Sequence, residues 1–277
     1  MATTLDTPPT APAEPADTPR HAHEHPPGGG RIVWARLIPI LTFHVIALGV
    51  FLVGFSWAAL AVCLALYAGR MFIITGFYHR YFSHRTFRTS RAVQALAAFL
   101  GTTTAQRGPI WWAAHHRDHH RHSDQPPDIH SPVQHGLEHS HVLWFITDQG
   151  MDTNRKAVPD LLRYPELRFI DRFHLLGVAA LAAFTLALGW LMQTFTPAWG
   201  ATPAQIFVWG FGLSTVLLYH GTFTINSLAH TWGTRRFKTG DDSRNNFWLA
   251  LITLGEGGVR SRDRREGAFG HRGTFPG

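Results

Sequence analysis

A dense run of histidines lies in the middle of the chain, between two pairs of long apolar stretches. Three of them, His116, His119 and His120, follow an i, i+3, i+4 spacing, which places three imidazole rings on one face of a helix. Imidazole is a frequent ligand of transition metals. A pair at this spacing is usually a surface feature, but three histidines together predict metal binding.

Two further polar groups adjoin the apolar stretches. His79 and His84 follow the second stretch, five residues apart. Five residues of α-helix rotate by about 500°, which leaves the two side chains roughly 140° apart. We therefore expect the helix to end or bend between His79 and His84 if both bind metal. Asn226 and His230 come after the fourth stretch and share a helix face at i, i+4.

The ligand chemistry favours iron, zinc or copper over magnesium or calcium, because the candidate donors are imidazoles. One zinc ion normally takes three or four protein ligands. The six candidates exceed that number, so two metal ions are the simpler account: His79, His84, His116, His119, His120 and His230. A ferritin-like di-iron site would need paired Glu-x-x-His motifs. The single match, Glu138-x-x-His141, is attributed to chance.

Four apolar stretches are each close to the length of about 20 residues that crosses a bilayer. They cover residues 37–55, 56–77, 173–192 and 205–223. Neither link between paired stretches contains Lys or Arg, so the positive-inside rule places both termini and the histidine-rich belt on the cytoplasmic side. The sequence predicts an all-α integral membrane protein, in which four transmembrane helices carry a helical cytoplasmic cap that holds the histidines.

The net charge, the cysteine content and the polar segments of the chain give further information. The net charge of +7 follows from this membrane topology, and no nucleic-acid partner is expected. The single cysteine, Cys63, excludes a disulfide within the chain. Residues 1–31 are polar and rich in Pro and Ala, which predicts a disordered tail. Residues 128–141 are predicted to form a loop.

The histidine groups and their neighbours resemble the membrane fatty-acid (acyl-CoA) desaturases of bacterial type. The resemblance covers roughly residues 32–257. It implies four spans under a helical cap, with two iron ions and O2 as co-substrate. It also implies insertion of a cis double bond, commonly at the ninth carbon, into a saturated acyl chain. The matching motifs are His79-Arg-Tyr-Phe-Ser-His84, Trp112-x-x-x-His116-Arg-Asp-His-His120, Asp128-x-His130-Ser-Pro, Ser140-His141-x-x-Trp144, Asn226-Ser-x-Ala-His230, Gly240-Asp-Asp-Ser-Arg-Asn-Asn246 and Leu254-Gly-Glu-Gly257.

The resemblance also implies roles for particular residues. The six candidate histidines would be iron ligands, and Asn226 would act through a bound water. Three tryptophans are interpreted as walls of the path for the acyl chain or its head group: Trp111, Trp112 and Trp144. Anchoring of these rings at the membrane interface is an equal alternative. The substrate would be a fatty acyl chain linked to coenzyme A, a carrier protein or a lipid. A separate partner, such as a ferredoxin or a cytochrome with its reductase, would supply electrons at a bacterial inner membrane, where the protein is surrounded by lipids.

The chain departs from the family after Gly257. The family continues with Trp-His-x-x-His-His, which supplies three more ligands, whereas residues 258–277 form an Arg-rich tail with His271 as the only histidine. We interpret this change as a shifted reading frame near residue 258 or a foreign end, and we expect weak or absent activity. A membrane fatty-acyl hydroxylase and a non-catalytic pseudoenzyme that retains the fold remain as alternatives. A metal transporter is less favoured, because nearly all the histidines lie outside the spans.

Overall fold

A computed structural model describes residues 30–235, 242 and 244–255 of the chain. Residues 1–29 of the predicted disordered tail and the Arg-rich end lie outside the described residues. The regular elements within those described ranges are helices, with two isolated bridges, Ile32 to Thr147 and Thr234 to Asn245. The prediction of an all-α protein is therefore confirmed.

The helices follow one another along the chain with short connections. They are α1 Trp34–Val53, α2 Trp57–Ser83, α3 Arg91–Thr102, α4 Pro109–His122, α5 Pro132–His135, α6 Leu137–His141, α7 Asp148–Met151, α8 Pro165–Arg172, α9 Leu175–Phe195, α10 Pro203–His230 and α11 Phe247–Ile252. Single 3-10 turns cover Leu143–Ile146, Arg155–Ala157, Leu161–Arg163 and Pro197–Trp199.

Four of these helices, α1, α2, α9 and α10, are long and apolar enough to cross a membrane, which confirms the predicted number of spans. Two of them extend further than the apolar pattern indicated. Helix α2 continues to Ser83 and α10 to His230. His79, Asn226 and His230 therefore lie on the spanning helices themselves, so their positions are fixed by the packing of the bundle.

Helix α10 is the most enclosed of the four spans. In the most apolar 18-residue segment of α10, 61% of the residues are buried within the protein, compared with 17% in the corresponding segment of α1. The outward side chains of α1 include Phe51 and Leu52, which are 83% and 90% exposed, as expected for groups that face lipid. The residues near the end of α10 are consequently held from several sides.

Arg70 is a charged residue inside the spanning helix α2. Its guanidinium is buried and donates to the hydroxyls of Ser214 and Thr215, at 2.6 and 2.9 Å, and to the carbonyl of Thr103 at 3.2 Å. A buried charge is tolerated when hydrogen bonds surround it. Arg70 thus ties α2 to both α3 and α10.

Helix α4, which carries three of the candidate ligands, begins at a sharply defined point. Pro109 occupies its first position, where no backbone donor is needed. The backbone amides of Ile110 and Trp111, in the first turn of the helix, donate to the Asp171 carboxylate of α8 at 2.9 and 3.0 Å. A Cβ atom at Gly108 would lie 2.4 Å from Asp171, so only glycine permits this approach. Asp171 therefore fixes the start of α4 against α8.

The prediction of a loop over residues 128–141 is wrong, because two short helices, α5 and α6, form there. Ser131 caps α5 by accepting the amide of Val133, and Pro132 provides a first helical position. Helix α6 packs on α10, and its last residue, His141, forms an imidazole contact of 3.0 Å with His220. His220 in turn contacts His44 of α1 at 3.2 Å. These histidines join the cap to two spans.

Candidate metal centre

Four of the predicted ligands come together near the C-terminal ends of α2 and α4. His79, His84, His116 and His120 each have a ligand nitrogen within 4.8 Å of those of the other three. The shortest contact joins the Nε2 atoms of His84 and His116, at 2.9 Å. Four convergent imidazoles form a donor set that suits a transition metal. We call these four residues the first cluster.

Helix α2 does end between His79 and His84, at Ser83, as the spacing predicts, but its last part does not have α geometry. Helix α2 changes from α to π geometry at Ile73 and keeps it to Ser83, where its hydrogen bonds span five residues. The amide of His84 donates to the carbonyl of His79 at 3.1 Å. The wider turn brings residues five apart onto one side, and the two rings lie 4.7 Å apart between centroids.

The end of this π segment is held against α4 by Arg117. Its guanidinium donates to the carbonyls of Phe82 and Ser83, at 2.6 and 3.0 Å. The same group forms a two-pronged ion pair with Asp160, with distances of 2.7 and 3.0 Å. Because Arg117 follows His116 directly in the chain, it sets the position of the α2 histidines relative to those of α4.

His119 and His230 form a second group, each with its Nδ1 atom against a carboxylate. His119 contacts Asp128 Oδ2 and His230 contacts Asp124 Oδ2, both at 2.9 Å. A carboxylate on one ring nitrogen fixes the tautomer and turns the other nitrogen toward a metal. The two rings lie 5.4 Å apart between centroids. This second cluster is therefore oriented as metal-binding histidines commonly are.

Burial governs the charges of these groups. Removal from water, together with the neighbouring His79 and Arg117, lowers the pKa of His84 to about 3. The pKa values of His116 and His120 are also well below the usual range, because burial and adjacent imidazoles disfavour the cation. Burial alone would raise the pKa of Asp124, but His230, the Asp242 amide and the Ser131 hydroxyl together outweigh it and lower the pKa to about 2. His84, His116 and His120 are therefore neutral, as metal binding requires.

A narrow cavity of about 60 Å³ reaches the first cluster at His116. Its wall contains Asn226, His116 and all three tryptophans proposed from the sequence, Trp111, Trp112 and Trp144. Trp111 and Trp144 are almost fully buried and stack in parallel, 5.9 Å apart. A position inside the protein agrees with the wall interpretation of these rings better than with anchoring at the membrane surface.

Several residues of the site escaped the sequence analysis. Asp124 and Asp128 orient the second cluster, and Arg117 holds the first, yet none was selected as a candidate. The Asp128-x-His130 motif was noticed only as part of a resemblance. Asp124 had no comparable signal, because its partner His230 is 106 residues away.

Comparison with known proteins agrees with this geometry. The sequence model of the fatty acid desaturases matches residues 55–258. The chain belongs to this family. The match includes both histidine clusters and three of the four spanning helices, so the site lies within the family's shared region.

Individual desaturases show similar levels of identity. A probable chloroplast lipid desaturase of Arabidopsis thaliana is 36% identical over 206 residues, which cover 73% of this chain and 53% of the plant protein. The sn-2 palmitoyl-lipid 9-desaturase of a Nostoc species is 33% identical over 81% of this chain and 75% of its own length. The sn-1 stearoyl-lipid 9-desaturase of Anabaena variabilis is 34% identical, with corresponding shares of 82% and 79%.

Proposed function

We propose that this desaturase-family chain descends from an oxygen-dependent di-iron enzyme that inserts a cis double bond, commonly at carbon 9, into a saturated fatty acyl chain. The carrying observation is that four histidines converge on one point and that one of them, His116, lines a narrow aromatic cavity together with Asn226. The domain responsible would be residues 32–257. Relatives that act on acyl lipids support an acyl substrate.

The donors suit two iron ions. The first cluster would hold one with His79, His84, His116 and His120. His119, His230 and, through a water, Asn226 would hold the other. Bound iron would supply the activation of O2 that removes two hydrogens from unactivated methylenes. In the overall reaction O2, two electrons and two protons yield two waters and the double bond, so a ferredoxin or a cytochrome with its reductase must supply the electrons.

The protein's own contribution is to position and shield the substrate. Trp111, Trp112 and Trp144 would wall the acyl chain and exclude water beside the clusters. The Gln106 amide donates to the Thr222 hydroxyl at 2.9 Å across this cavity, which joins α10 to the segment before α4. Such a rigid wall would determine which methylenes reach the metals, since small misplacements are costly in catalysis.

The charge distribution supports an orientation with both termini and the clusters on the cytoplasmic side of a bacterial inner membrane. The ending of the chain supports reduced activity. Residues 258–263 read Gly-Val-Arg-Ser-Arg-Asp, where the family carries its last histidines. We therefore propose that this chain keeps the desaturase fold but that its catalysis is impaired. In the limiting case it is a pseudoenzyme, which retains the fold without activity.

Expression in a desaturase-deficient bacterial host tests the proposal. The native chain, a version in which Trp-His-x-x-His-His follows Gly257, and that version with His116→Ala would be compared by fatty-acid analysis. We expect cis-monounsaturated chains from the restored version, little or none from the native chain, and none from His116→Ala. Gas chromatography with mass spectrometry of derivatised products locates the double bond and detects hydroxylated chains. Absence of both products from a well-expressed restored version would contradict the proposal.

A further inference from the structure

His130 is a buried histidine beside the second cluster with no role in the proposed ligand set. It is 6% exposed and lies between two other rings. Its ring stacks on Trp144 at 4.8 Å and faces that of His119 at 4.4 Å, measured between centroids. It also lines the cavity beside Asn226 and His116. His130 thus lies where the second metal position would meet the substrate path.

The Nδ1 atom of His130 faces the same carboxylate as that of His119. It lies 3.4 Å from Oδ1 of Asp128, without the 2.9 Å hydrogen bond that Oδ2 of Asp128 forms with His119. One carboxylate thus adjoins two imidazoles, and because Nδ1 of each ring lies on its side, Nε2 lies on the far side of each ring. His139, in contrast, directs Nε2 to the carbonyl of Ile129 at 3.1 Å, as a structural histidine does.

Asp128 itself acts as an orienting group in this arrangement. Its side chain is fully buried, and Oδ2 also accepts the amide of Asp124 at 3.1 Å. Oδ1 accepts the amide of His130 at 3.4 Å. Both carboxylate oxygens of Asp128 therefore already accept hydrogen bonds. This favours the imidazole nitrogens over Asp128 as the metal ligands.

The two metal positions differ in their supply of ligands. The first cluster offers four imidazoles, whereas the second offers two and Asn226. Residues 258–263 contain no histidine to complete it. We propose that His130 donates Nε2 to the second metal and supplies one of the ligands that the family takes from its final histidine motif. This inference rests on the proposed function.

Cobalt(II) titration of the purified chain in lipid nanodiscs tests the inference, because visible absorption reports each bound ion and elemental analysis counts them. The wild-type chain should bind two ions with unequal affinities. His130→Asn retains a donor near the Nδ1 position but removes Nε2. We expect it to weaken the lower-affinity site about tenfold or more, with the tighter site unchanged. His139→Asn is the matched control and should leave both sites as in the wild type.

Unchanged lower-affinity binding in His130→Asn would overturn the inference, since a packing role against Trp144 does not require Nε2. A single bound ion in the wild type would also overturn the inference, but it would agree with metal binding by the first cluster. No bound ion at all would overturn the inference and the proposed pair of metal positions, and it would favour the pseudoenzyme. If His130→Asn does not fold, His130→Phe takes its place, because it keeps a ring against Trp144 and has no nitrogen donor. Unchanged lower-affinity binding in His130→Phe would then refute the inference.

Discussion

Replacement of Arg117 by methionine should separate the two ligand-bearing helices and strongly destabilise the protein. The side chain is only 13% exposed and donates to three backbone carbonyls, those of Phe82, Ser83 and Ala157, as well as to Asp160. Methionine fills a similar volume without any donor. The change would leave the carboxylate of Asp160 and the end of the π segment without this partner.

The expected cost follows from the kind of interaction that is lost. Removing one partner of a buried, hydrogen-bonded ion pair costs about 3–5 kcal/mol. Arg85 also contacts Asp160, at 2.6 Å, but is 59% exposed and therefore compensates only in part. We expect a value near the lower end of that range. The first cluster should also lose about 10- to 100-fold in metal affinity, as when an orienting group is removed.

Arg91→Met is the matched control. Arg91 also forms a two-pronged pair, with Glu166 at 2.6 and 2.8 Å, but it is 63% exposed and contacts no ligand-bearing segment. Reversible unfolding in mixed micelles containing sodium dodecyl sulfate would give the free energies, and cobalt titration the affinities. A loss for Arg117→Met no larger than that for Arg91→Met would refute the view that Arg117 positions the clusters.

Three further predictions concern packing, orientation and pH. Gly101→Ala places a Cβ atom 1.9 Å from the Tyr78 ring, and should lower stability in the same micelle assay by about 1–3 kcal/mol. Asp124→Asn weakens the orientation of His230, so cobalt titration should show about 10- to 100-fold weaker binding at the lower-affinity site only. His84 has a pKa of about 3 in the fold and 6.5 without it. The unfolded chain therefore takes up a proton that the folded one does not, and stability of the metal-free protein should fall as pH decreases from 6.5 toward 3. A flat melting temperature over that range would contradict this.

Local features of the sequence predicted the spanning helices correctly. Hydropathy identifies α1, α2, α9 and α10 because a span must be apolar along its whole length, whatever its neighbours. The i, i+3, i+4 spacing on α4 depends only on the geometry of one helix, and two of its three histidines, His116 and His120, belong to the first cluster. For His79 and His84 the sequence predicted the end of the helix between them, but the angle between their side chains was calculated for α geometry, whereas this segment is a π-helix.

Short helices and buried polar contacts were harder to predict. Helices α5 and α6 are only four and five residues long, too short to produce a periodic pattern. Arg70 is a charge within a span, and the groups that it binds are far from it in the sequence. The hydroxyls that accept its donors lie on α10, about 145 residues further along.

The sequence by itself thus determined an all-α membrane protein with clustered imidazoles and a foreign-looking end. Those features depend on residue type and on spacing along a single helix. Only the tertiary structure decided how the clusters are oriented. Asp124 meets His230, and Arg117 meets the end of α2, because segments distant in the sequence pack together. The metal preference comes from the imidazoles, whereas their orientation comes from carboxylates and carbonyls that the fold brings to them.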